Sequence, residues 1–151
     1  MTALCLSACS TSEPGNAVEI EHALYLRGEM NDYAVSETYR LREEDEGLCT
    51  LATLRSDWSP YRFKFADAQW SAGHSFGYKE PPGVLRPHSG PLALNPDSKF
   101  EDISFYPEED GVYRFCLIER DGEFLVTVDR TEQTEFKFFS QAIERAFKPD
   151  E

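Results

Sequence analysis

Apolar and polar positions alternate with a period of two along most of this chain. Leu24 and Leu26 alternate with Tyr25 and Arg27 over 23–28, and Tyr39 and Leu41 with Arg40 and Arg42 over 38–43. Tyr61, Phe63 and Phe65 alternate with Arg62, Lys64 and Ala66 over 61–66, which turns the Lys64 side chain away from the phenylalanines. Ile103 and Phe105 alternate with Asp102 and Ser104 over 101–106; Tyr113, Phe115 and Leu117 share one face of 112–119; Phe124, Val126 and Val128 share one face of a last segment. A short apolar run at 48–54 and a weaker segment at 76–79 bring the extended segments to eight. Period-two alternation is the mark of antiparallel strands with one face in a core.

The punctuation agrees. Asp121-Gly122 falls between the last two strands, where both central positions of a tight hairpin need positive φ. Glu46-Gly47 and Asp110-Gly111 each stand just before a strand, and the acidic run 43–46 reads as a solvated hairpin turn. Short strands at close spacing predict a two-layer sandwich. The segment 80–97 holds Pro81, Pro82, Pro87, Pro91 and Pro96 and is expected to wrap the surface as a long loop, because proline has no N–H for a ladder. After Thr131 the period changes: Phe136, Phe139, Ile143 and Phe147 mark one face of a helix, with Glu132 and Glu135 near its start, Arg145 and Lys148 near its end, and Pro149 as its stop. This helix is expected either to pack on the sandwich or to dock a partner.

Length changes the picture little, since 151 residues suit one domain with its own core. Charge removes partners. A formal net charge of −13 is repelled by nucleic-acid phosphates and by anionic lipid, whereas a neutral ligand feels no such penalty. No apolar run in the sequence is long enough to span a bilayer as a helix. The four cysteines divide into two pairs. Cys5 and Cys9 lie in the short apolar start, and Leu6-Ser7-Ala8-Cys9 looks like a lipobox, in which the cysteine thiol takes the lipid of a bacterial lipoprotein. The stretch before it is short for a secretory signal and lacks a basic region, so an upstream part is expected to have been trimmed or misassigned. Residues 10–16 then form a small, polar tether. That leaves Cys49 and Cys116, which either form a disulfide in an oxidising compartment or pack as two buried thiols.

Two stretches, Leu24-Tyr25-Leu26-Arg27-Gly28 with Met30-Asn31-Asp32-Tyr33, and Phe63-Lys64-Phe65-Ala66-Asp67-Ala68-Gln69-Trp70, each read as a strand entering a turn that ends on an aromatic ring. With Gly111-Val112-Tyr113-Arg114-Phe115 and Leu125-Val126-Thr127-Val128 as a closing hairpin, they resemble the glycogen- and starch-binding modules of the family-48 carbohydrate-binding type, found beside pullulanases and branching enzymes. The resemblance spans about 23–129. It implies an immunoglobulin-like, early-set antiparallel β-sandwich over 23–130, after a signal remnant and tether at 1–22 and before the helix at 131–151. It also implies a sugar site of Tyr33, Lys64 and Trp70. Asp102 stands where the family often has asparagine, and Tyr33 where it usually has tryptophan. These residue types suit a glucose ring, whose apolar face can lie on an aromatic ring while an ammonium donates to its hydroxyls. Such shallow sites bind weakly, with Kd on the order of micromolar to millimolar. Trp58, near Ser59-Pro60, could offer an extra aromatic ring and is read as mostly structural.

Catalysis finds little support. His22, His74 and His88 lack metal-ligand spacing, and there is neither a glycine-rich phosphate loop nor a nucleophile elbow. No cofactor or metal is expected. The leading expectation is a non-catalytic α-glucan or maltooligosaccharide binding module on a lipoprotein of the bacterial envelope, on its periplasmic face and at the outer membrane, touching membrane only through its lipid. The alternative is an envelope interaction scaffold of the same fold without sugar, its protein partner docked on the tail helix or the proline-rich segment. An enzyme is the remotest reading.

Overall fold

A computed structural model describes residues 22–131. The expected tail helix and the lipobox with its tether lie outside the described residues. Ten strands follow in order: β1 (Tyr25–Gly28), β2 (Arg42–Glu44), β3 (Gly47–Leu54), β4 (Tyr61–Ala66), β5 (Ser75–Tyr78), β6 (Val84–Leu85), β7 (Leu92–Asn95), β8 (Ile103–Phe105), β9 (Gly111–Arg120) and β10 (Glu123–Arg130). They hydrogen-bond in the path β2-β3-β9-β10-β7-β5-β4-β8-β6, with β1 on the free edge of β4. The path folds over at β5: Phe76 pairs with Phe65 of β4, and two residues on Tyr78 pairs with Leu94 of β7. One layer is therefore β1-β4-β8-β6 and the other β2-β3-β9-β10-β7, which makes the all-β sandwich that the alternation predicts.

The inward faces meet through aromatic rings. Phe63 of β4 meets Phe115 of β9 edge-on at 5.0 Å between centroids, Phe105 of β8 meets Tyr113 of β9 at 5.3 Å, and Phe76 of β5 meets Phe124 of β10 at 5.0 Å. Phe63, Phe65, Phe105 and Phe115 are fully buried together with Leu26, Leu54, Ile103, Leu117 and Val126. Edge-to-face contacts of this kind add to area burial, so these rings set the spacing between layers.

Two expectations are corrected. Residues 38–43 are not one strand: Glu37–Tyr39 form a 3-10 turn capped by the Ser36 hydroxyl, and only Arg42–Glu44 pair with β3. The chain there is a sheet edge, where polar side chains on both faces leave pairing weakly specified. The proline-rich segment also does more than wrap the surface. It supplies β6 and β7, and β7 links β10 to β5. The reason is placement: Pro91 stands one residue before β7 and Pro96 one residue after it, so every residue of Leu92–Asn95 keeps its N–H. Asp121 and Gly122 both take positive φ, 53° and 80°, in the last hairpin, as expected.

Cys49 and Cys116 are directly opposed on β3 and β9 and form a disulfide, with Cα atoms 4.1 Å apart. The bridge joins neighbouring strands of one layer although 67 residues separate its ends in sequence. Closing a loop of that length removes about 4 kcal/mol of unfolded-chain entropy in the simple chain model. The double variant Cys49→Ala/Cys116→Ala is expected to lose about 2–4 kcal/mol of unfolding free energy. Urea melts with and without reductant check this: reductant should destabilise the native chain and leave the double variant unmoved.

Candidate functional site

The outer face of the β1-β4 layer is where the two resembling stretches meet. Arg27 of β1 lies directly across from Lys64 of β4 in the register. Both face away from the phenylalanine core, yet both are buried, because two loops fold over them. One loop follows β1. Gly28 lets it leave the sheet closely: a Cβ there would stand 2.5 Å from the Arg62 carbonyl oxygen and 2.6 Å from the Phe63 Cβ. Asn31 then ties the turn, accepting from the Gly28 N–H at 3.0 Å and donating to the Leu26 carbonyl at 2.9 Å. Asp32 and Tyr33 follow at φ of 54° and 58°.

The second loop joins β4 to β5. Asp67 closes it: its Oδ1 accepts from the Ser71 N–H at 2.8 Å, and its own N–H donates to the His74 carbonyl at 3.1 Å. Burial alone would raise the Asp67 carboxyl, but the hydrogen bonds from Ser71 and the nearby His22 outweigh it and hold the carboxyl below its ordinary value. Its Oδ2 accepts no hydrogen bond and faces Nδ1 of His22 at 3.2 Å, while the His22 ring stacks on His74 at 4.5 Å. Trp70 sits at the loop tip with φ of 56°. Bulky side chains rarely adopt positive φ, so Tyr33 and Trp70 are both held in strained backbone, of order 1 kcal/mol each.

One cation ties the loops together. The Arg27 guanidinium donates from Nε to the Tyr33 carbonyl at 2.8 Å, and from one terminal nitrogen to the Asp67 and Ala68 carbonyls at 3.0 and 3.3 Å. Its Cζ lies 3.8 Å from the centroid of the Trp70 ring. Burial draws its pKa down from the ordinary arginine value and the Asp67 carboxylate pushes it back, so it stays charged. Trp70 nonetheless keeps 42% of its surface exposed, and the Tyr33 ring stands 6.5 Å away, tilted by 47°.

All four residues of the expected site converge. The Tyr33 hydroxyl donates to Asp102 Oδ2 at 2.7 Å, and the Lys64 ammonium lies 3.6 Å from Asp102 Oδ1 and 5.9 Å from the Trp70 centroid. Burial and the bond to Asp102 raise the Tyr33 phenol above its ordinary value, so it remains a donor. The expectation for Lys64 needs correction. It is only 3% exposed, and its ammonium donates to the Lys99 carbonyl at 2.7 Å. The edge of β4 changes partner here, from β8 at Phe63 to β5 at Phe65, and the segment 96–102 crosses that gap and covers the lysine.

Sequence reasoning missed Arg27, within this surface, and Phe100, which follows the Lys99 carbonyl that Lys64 meets. Arg27 had a signal, since it shares the outward phase of Lys64 and precedes a glycine. Phe100 had none. It is 88% exposed on a loop locked by Glu101, whose Oε1 accepts from the Ser98 hydroxyl at 2.9 Å, the Lys99 N–H at 3.0 Å and the Phe100 N–H at 3.3 Å. An open cleft of about 500 Å3, lined in part by Tyr78, Asn95, Lys99 and Phe100, runs beside it. Among the described residues, no group of three or more His, Cys, Asp or Glu side chains could hold a metal ion. The surface offers an exposed indole, a phenol, and a carboxylate held by the Tyr33 hydroxyl and an ion pair with Lys64, on an open face.

No family model and no curated protein matches the chain. Among solved structures, the ligand-induced structure of AmyP-SBD, a starch-binding domain, is similar with a TM-score of 0.53 and 17% identity, over 87% of this chain and 96% of that one. At that identity the likeness shows a shared fold, that of an all-β sandwich.

Arg27→Met would leave three loop carbonyls without their charged donor. The expected result is a loss of about 2–4 kcal/mol in unfolding free energy and a changed Trp70 environment, with Arg27→Lys intermediate because one ammonium cannot span the fork. Urea melts followed by tryptophan emission read both; an Arg27→Met protein within about 0.5 kcal/mol of the native one would contradict the assignment.

Proposed function

We propose that this domain binds neutral α-glucan chains, such as glycogen or maltooligosaccharides, on the outer face of β1 and β4 and performs no chemistry on them. The observation that supports it most is the Trp70 ring, large, apolar and 42% exposed, yet backed at 3.8 Å by a buried guanidinium that fixes its position. A sugar stacked on such a ring meets an aromatic surface that has already lost its freedom. Tyr33 forms the flank, and Asp102 accepts from hydroxyls at the rim. Lys64 takes a different part from the one expected: it holds Asp102 and the Lys99 carbonyl in place from beneath. The likeness to a starch-binding domain supports the ligand class, and the acidic balance of the chain leaves an uncharged ligand without penalty.

Calorimetric titration with maltoheptaose tests this. Trp70→Ala is expected to weaken binding at least about tenfold, a loss of about 1.4 kcal/mol. Lys64→Met is expected to lower stability as well as affinity, since it strands a buried carbonyl. Absence of heat from the native protein at millimolar sugar would retire the reading.

We propose further that the domain is tethered at the bacterial envelope, facing the periplasm from the outer membrane, through a lipid on Cys9. The sequence Leu6-Ser7-Ala8-Cys9 supports it, and so does the Cys49–Cys116 disulfide, which suits an oxidising compartment. Metabolic labelling with a clickable palmitate is expected to mark the expressed full-length protein and not its Cys9→Ala variant; equal labelling of the two would remove the anchor.

A further inference from the structure

Trp58 was expected to be mostly structural, and it is instead 65% exposed. It closes the 3-10 turn Ser56–Trp58 between β3 and β4, whereas Trp70 lies in the loop after β4. The turn that carries Trp58 and the loop that carries Trp70 therefore leave opposite ends of the six-residue β4, and the Trp70 ring folds back over Arg27 and Lys64.

The turn under Trp58 is fixed from several sides. The Trp58 N–H donates to the Arg55 carbonyl at 3.2 Å, and the Arg55 N–H donates to the Tyr61 hydroxyl at 3.0 Å. Asp110, from the turn before β9, accepts at one oxygen from both the N–H and the hydroxyl of Ser56, at 2.8 and 3.0 Å. Arg55 and Asp57 then form a two-pronged pair, Nε to Oδ1 at 3.1 Å and a terminal nitrogen to Oδ2 at 3.0 Å, with the guanidinium carbon 5.2 Å from the Trp58 ring centroid. Both charged side chains remain more than half exposed, at 55% and 59%. Arg55 has five N–H donors and this pair occupies two of them.

A tryptophan left in water contributes little to folding, because most of its apolar surface is never buried. Here it is also held by a braced turn, beside a paired arginine and carboxylate with donors and acceptors to spare. An apolar plate with a polar rim at its edge matches a pyranose, whose C–H face stacks while its equatorial hydroxyls meet the rim. Bracing the turn that carries the ring lowers the entropy lost on binding.

We infer that Trp58, with Arg55 and Asp57, forms a second and independent α-glucan site, on the turn that enters β4 and apart from the Arg27, Lys64 and Trp70 cluster. This rests on the glucan reading above and makes the domain bivalent. One long glucan chain, or two neighbouring chains, would then be held at two points, and avidity would exceed either single affinity.

The chain has two tryptophans, so its proton–nitrogen spectrum has two indole signals, one for each site, assigned with Trp58→Ala and Trp70→Ala. Titration with maltoheptaose is expected to move both signals in the native protein. The Trp58 signal is expected to keep moving in Trp70→Ala, with an apparent Kd within about twofold of its native value, as independent sites require. Movement of Trp70 alone would overturn the second site and leave the first standing. Movement of Trp58 that vanishes in Trp70→Ala would overturn its independence and make it part of one site. Movement of Trp58 alone would keep this site and remove the one at Trp70, and movement of neither would remove both.

Discussion

The candidate surface depends on one buried charge. The Arg27 guanidinium donates to carbonyls of two loops, one at Tyr33 and the other at Asp67, and lies against the Trp70 ring. A planar fork of donors suits this position, because carbonyls on different sides can be met at once without moving the charge. Buried cations are costly unless their donors are satisfied, so the same interaction that orders the loops also makes the arginine tolerable inside the fold. The strained backbone at Tyr33 and Trp70 is held by the same contacts. The Tyr33 ring has a second hold in its hydroxyl bond to Asp102, whereas the Trp70 ring rests on the guanidinium itself.

Beneath that charge, the sandwich supplies a fixed platform. Arg27 and Lys64 lie opposite each other because β1 and β4 pair in a register set by their buried partners, Leu26 and Phe65. A slip of one residue would turn the phenylalanines outward and the cations into the core, which no other contact could compensate. Lys64 sits where the edge of β4 passes from β8 to β5, and the segment crossing that gap brings Lys99 and Asp102 to its ammonium. Packing of the core and geometry of the surface are therefore the same constraint seen from two sides of one sheet.

The distribution of aromatic residues separates architecture from recognition. Phe63, Phe76, Phe105 and Phe115 are buried and meet rings edge-to-face across the layers, and Phe65 packs edge-on against Phe63 of its own strand. Trp58, Trp70 and Phe100 are exposed, each on a loop braced by its own hydrogen bonds. Rings withheld from the core contribute little to folding, and under the proposed function a sugar's apolar face is the surface that Trp58 and Trp70 would meet.

Much of this was legible in the chain itself. Alternation located the strands of the core, since a period of two with large apolar residues has one stable outcome, burial of one face. Asp121-Gly122 announced its hairpin because few other pairs accept positive φ twice. The family resemblance pointed to Tyr33, Lys64, Trp70 and Asp102, and they do converge. What local pattern could not contain were relations between distant segments. The burial of Lys64 depends on a loop thirty-five residues away, and the pairing of Cys49 with Cys116 on a register between β3 and β9. The strand at Leu92–Asn95 was hidden by prolines that flank it without interrupting it. The exposure of Trp58 followed from where a turn emerges, and the role of Arg27 from which loops close over it. Composition and periodicity determined which residues leave water; only the folded chain decided which of the remainder meet.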